Sequence, residues 1–123
     1  MKRACLFIAA SLMAIAWSLQ SASALPPFNA EWKNKYNPGD KNPAYAEAKC
    51  NVCHEGMSKK MKNEYGKAVG KFLTKAKYTE IKEDEAAAKK YILEGLQKAA
   101  DEKNAAGKSY GELIKGGKLP GGQ

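Results

Sequence analysis

The residue pattern predicts an all-α chain: a small bundle of three to four helices and no sheet. Three observations carry that reading. Apolar residues recur at helical spacing along two segments, Tyr65 to Ala76 and Ala88 to Ala99. No run alternates apolar and polar residues as a half-buried strand does. Helix punctuation also falls where these segments need it, with Asn42-Pro43, Glu83-Asp84-Glu85, Gly56 and Gly107 as starts and stops.

Residues 1–24 read as a cleaved export leader. Lys2 and Arg3 give a positive start, Ala4 to Leu19 an apolar run, and Ala22-Ser23-Ala24 a small-residue cleavage site. The run is short for a membrane span of about 20 residues, so no span is expected after cleavage. Cys5 leaves with the leader. The mature chain, residues 25–123, is 99 residues long, room for one domain. Removing Lys2 and Arg3 leaves 19 basic residues against 13 acidic ones, a net charge of +6. These charges are spread along the helices rather than clustered, which with export argues against a nucleic-acid partner.

Along the mature chain, residues 25–41 read as an irregular arm. Pro26, Pro27 and Pro38-Gly39-Asp40 interrupt it, and the four-residue spacing of Phe28, Trp32 and Tyr36 allows at most a short helical turn. The first helix of the reading starts at Asn42, a cap, with Pro43 in its first turn. It is expected to run through Ala44, Tyr45 and Ala48 to His54 and to stop at Gly56.

That helix carries Cys50-Asn51-Val52-Cys53-His54. Two cysteines three apart, with a histidine directly after the second, form the attachment sequence of c-type haem. The thiols add across two vinyl groups of one porphyrin, and the adjacent imidazole lies under the iron as an axial ligand. On a helix, offsets of three and four share a face, so one turn can pin the plate at its edge and ligate its centre. A thioredoxin-like pair would need a βαβ pattern that is missing here, and a closed zinc site would need four protein ligands. After residue 24 only Cys50, Cys53 and His54 are on offer.

The second helix is expected over about Asn63 to Lys75, its stripe made of Tyr65, Ala68, Val69, Phe72, Leu73 and Ala76. Gly66 and Gly70 beside the stripe weaken it by about 1 kcal/mol each, which a close approach of a neighbouring helix or the porphyrin would offset. The third helix, about Lys82 to Asn104, buries Ala88, Tyr91, Ile92, Gly95, Leu96 and Ala99. Tyr110 to Lys115 is a last short helix, and Gly116 to Gln123 a frayed end.

A helix bearing CxxCH, followed by further helices in about a hundred exported residues, resembles a small monohaem cytochrome c domain. The resemblance implies a bundle around one covalently attached haem c, thioethers at Cys50 and Cys53, and His54 as proximal ligand. It implies electron transfer through an exposed haem edge by a soluble protein in the periplasm or otherwise outside the cytoplasmic membrane, with no catalytic side chains. The competing readings are a haem enzyme or gas-binding sensor with an open distal position, and a haem subunit of an exported complex. The family's usual distal methionine lies far downstream, and here none follows Met61. Met57, three residues past His54, spans roughly 10 Å of extended chain, while Met61, seven past it, spans roughly 24 Å. Met61 is therefore the expected distal ligand, with Met57 as its alternative. Lys59, Lys60 and Lys62 follow the motif and suit an acidic docking face on a redox partner.

Overall fold

The computed structural model describes residues 25–55 and 61–122, which form six α-helices, two short 3₁₀ turns and two isolated bridges. The leader, together with Gly56, Met57, Lys59 and Lys60, lies outside the described residues. The all-α class holds, but the expected three to four helices become six among the described residues, and several boundaries move.

The first correction is the arm. Pro26–Tyr36 is a helix, α1, and its prolines stand at its first two positions, where a missing N–H loses no intrahelical bond. Phe28 and Trp32 are buried and Tyr36 half-buried, so the four-residue aromatic spacing is a true helix stripe. Gly39, in the 3₁₀ turn Pro38–Asp40, takes the left-handed conformation (φ 70°) that lets the chain reverse.

Helix α2, Pro43–Ala48, starts as expected, with the Asn42 side chain accepting from the Ala44 N–H. It does not reach His54. Lys49 has φ 47° and ψ −115°, which ends α2, and the chain continues as a 3₁₀ turn over Lys49–Val52.

The predicted second helix splits. Helix α3, Glu64–Phe72, keeps Tyr65, Gly66, Ala68 and Val69 buried, but the backbone then extends at Leu73 and Thr74. There the Thr74 N–H donates to the Tyr91 hydroxyl at 3.0 Å, and its side chain accepts from Lys77 N–H, starting α4, Lys75–Ile81. Ala76 consequently sits exposed on α4 and leaves the stripe.

Helix α5, Glu85–Asp101, buries Ala88, Ile92, Gly95, Leu96 and Ala99 as read from the sequence. It is shorter than expected at both ends. Asp84 caps its start, accepting from Ala87 N–H at 3.0 Å. At its end Asn104 Oδ1 takes the N–H groups of Ala106 and Lys108, diverting the chain into a turn through Gly107 (φ 80°). Helix α6, Tyr110–Lys115, matches the sequence reading and opens on a capping box between Ser109 and Glu112.

Helices α1, α3, α4 and α6 all lean on α5. At Gly95 a Cβ would run into the Leu73 side chain, so this glycine lets the α3–α4 junction press onto α5. One core results, from Phe28 and Trp32 through Tyr65 and Leu96 to Tyr110 and Ile114. The tail expected to fray is held. The Tyr45 hydroxyl lies 2.8 Å from the Lys118 carbonyl, Pro120 is buried, and Gly121 abuts the Asn63 side chain. Among the described residues no helix is long and apolar enough to cross a membrane.

Candidate cofactor site

The turn carrying the motif is closed on one atom. The N–H groups of Cys53 and His54 both donate to the Cys50 carbonyl, at 3.2 and 3.1 Å. Cys50, Cys53 and His54 therefore share a single turn, as their spacing predicts, although that turn is not a continuation of α2. From residue 61 the chain runs antiparallel beside it through a His54–Lys62 bridge. Glu55 N–H donates to the Met61 carbonyl and Asn63 N–H to the Cys53 carbonyl, each at 3.0 Å.

Both cysteines and His54 line one cavity of about 390 Å³. Its apolar walls come from separate elements: Phe28 and Trp32 of α1, Val52, Val69 of α3, Leu73, and Leu96 of α5. Trp32 is fixed by donating its indole N–H to the Tyr65 hydroxyl at 2.8 Å. Gly66 and Gly70 also line the cavity, and at Gly66 a Cβ would overlap the Cys53 carbonyl. The close approach expected at this glycine is thus made by the motif's own backbone.

His54 is 3% exposed. Its Nδ1 lies 3.2 Å from the Met61 carbonyl oxygen. A carbonyl can only accept, so in the neutral ring Nδ1 carries the proton and Nε2 is left as the acceptor. That Nε2 is buried and has no hydrogen-bond partner among the described residues. An orphaned buried acceptor costs about 1–3 kcal/mol. A metal bond would relieve it, and a metal-ligating imidazole is commonly steadied by such a carbonyl on its other nitrogen.

Both thiols are free. Burial, and then the neighbouring Cys50, push the Cys53 thiol up to about 12, against a smaller opposite pull from Lys62. It is uncharged at neutral pH. Among the described residues no group of three or more His, Cys, Asp and Glu side chains could hold a metal ion by itself. One imidazole and two thiols at the wall of an apolar cavity instead fit a plate that brings its own metal and is fastened at its edge.

Met61 does not occupy the place expected of it. Its side chain is 58% exposed and is not among those lining the cavity, while its carbonyl backs the Nδ1 side of His54. The seven-residue reach estimated from chain length is spent on the antiparallel return instead. Met57, Lys59 and Lys60 lie outside the described residues. Lys62 does reach the cavity, joined by Lys33, Lys49 and Lys75, and no acidic side chain lines it among the described residues. Lys33 and Lys75 are not legible as site residues in the sequence, because they approach from α1 and α4, elements distant along the chain from the motif.

No family model matches the chain, and no curated protein or solved structure matches it either.

Proposed function

We propose that this chain is an exported electron-transfer protein carrying one c-type haem, linked to Cys50 and Cys53 and ligated by His54. The observation that carries the reading is the buried Nε2 of His54, without a hydrogen-bond partner among the described residues, in a cavity that both cysteines also line. The haem would supply a reversible one-electron couple at iron. The chain's own work is positional. The Met61 carbonyl holds the imidazole in the tautomer that leaves Nε2 free. The walls at Phe28, Trp32, Leu73 and Leu96 keep water from the cofactor and lower the local dielectric. Lysines at the cavity favour a partner with an acidic docking face, its association slowed by salt over the ~10 Å screening length at 0.1 M. Export rests on the leader, Lys2 to Ala24.

Protein matured in a host that attaches haem outside its cytoplasmic membrane tests this. The expected mass is the chain from Leu25 plus one haem, and the haem stays with the protein through acid–organic extraction. Cys53→Ala loses or weakens the linkage, and His54→Ala loses the low-spin spectrum. Haem that extracts from the wild type overturns the proposal.

The exposed side chain of Met61 favours a second reading, a haem protein whose sixth position takes an exogenous ligand. The ferric spectrum separates the two. A weak long-wavelength band of sulfur ligation that persists in Met61→Ala and vanishes in Met57→Ala assigns Met57. A water-ligated or five-coordinate spectrum assigns the open site.

A further inference from the structure

Thioether formation at both cysteines needs two sulfurs and one imidazole presented together to one plate, so the orientation of the Lys49–His54 turn matters as much as its residues. That turn does not hold itself. It begins at Lys49 with a positive φ, and the N–H groups of Cys53 and His54 both converge on the Cys50 carbonyl. The next three carbonyls, those of Asn51, Val52 and Cys53, are all taken by one residue outside it. Asn63 Nδ2 lies 3.3 Å from the Asn51 carbonyl and 3.0 Å from that of Val52, and Asn63 N–H donates to that of Cys53 at 3.0 Å.

We infer that Asn63 is the positioning residue of the attachment site, a role that rests on the haem reading above. Its amide orientation is unambiguous. Two carbonyls require the NH₂ on one side, and the Gly66 N–H, 2.8 Å from Oδ1, requires the oxygen on the other. The same oxygen caps α3, so one side chain couples the motif's carbonyls to the helix whose Gly66 packs on Cys53. Asn63 is 3% exposed, and from behind it is closed by the tail: a Cβ on Gly121 would fall 2.7 Å from its Oδ1. The C-terminal residues thereby reach the attachment turn through a single amide.

Asn63→Ser separates the two duties of this side chain. Serine caps a helix about as well as asparagine, so α3 keeps its start, but both amide donations to the turn are lost. Thr74→Ala, which removes the α4 cap away from the turn, serves as the stability control. In exported protein the expected result for Asn63→Ser is loss of the second thioether in much of the population, seen by mass after proteolysis. A shifted low-spin electron paramagnetic resonance signal from the His54-ligated iron should accompany it. Thr74→Ala should lower the melting temperature while keeping both thioethers and the wild-type signal. Gly121→Ala, which leaves Asn63 in place and displaces its amide, should reproduce the Asn63→Ser signature. Wild-type linkage and signal in both Asn63→Ser and Gly121→Ala, or equal changes in Thr74→Ala, overturn the assignment. A wild type without covalent haem sinks the haem reading itself, and is told apart from failure of the Asn63 role by that sample alone.

Discussion

Helix α5 satisfies its own backbone along 17 residues, opens on an Asp84 cap and buries a stripe from Ala88 to Ala100. The turn Lys49–His54 has a strained first residue, three carbonyls satisfied by Asn63 and an imidazole nitrogen with no partner among the described residues. Both are local structures of consecutive residues, yet one is self-sufficient and the other is completed from outside. The difference teaches where each region's stability resides. Around α5 it lies in side-chain burial against neighbouring helices. At the turn it lies in a few directed bonds, most of them made by a residue outside it.

Three substitutions sharpen that contrast, their haem readouts resting on the proposed function. The largest expected effect is Leu96→Ala. Leu96 is 1% exposed and lines the cavity, so its loss enlarges the hollow and removes core contacts, an effect of about 2–5 kcal/mol. Denaturant unfolding should show a lower midpoint while both thioethers remain, since the motif's bonds are untouched. Loss of linkage in a folded Leu96→Ala protein would break the division between the regions. Gly66→Ala comes next, at about 1–3 kcal/mol, because the added methyl meets the Cys53 backbone rather than a movable side-chain end. Here the site should suffer more than the fold, with incomplete haem linkage at a modest fall in melting temperature. Wild-type attachment would mean that α3 yields instead of the turn. The smallest is Asp84→Ala, about 1 kcal/mol from the lost α5 cap. It should lower the melting temperature and leave the haem spectrum alone, and a changed spectrum would show that the start of α5 reaches the site.

Much of the helical half is legible in the chain because it is decided within a turn or two. The Asn42-Pro43 start, the α5 stripe at Ala88, Ile92 and Leu96, and the span of α6 all follow from residues three or four apart. Even α1, read as irregular, is visible in its aromatic spacing. The prolines obscure it, since their effect depends on whether they open a helix or interrupt one. The break at Thr74 is harder to see, because the Tyr91 hydroxyl that receives its N–H sits 17 residues away.

The sequence by itself determined the chemistry on offer: two thiols and one imidazole spaced so that a single turn can carry all three. Such spacing is a property of consecutive residues, and no tertiary contact is needed to bring Cys50, Cys53 and His54 together. Only the tertiary structure decided what that turn faces. The cavity wall is assembled from α1, α3 and α5, and the tautomer of His54 is set by a carbonyl seven residues on. The carbonyls of the turn are held by Asn63, itself closed in by Gly121. Met61 shows the reason most directly. Chain length bounds how far a residue can reach, but the return path after His54 is chosen by hydrogen bonds, and these spend the reach on placing a carbonyl rather than a sulfur.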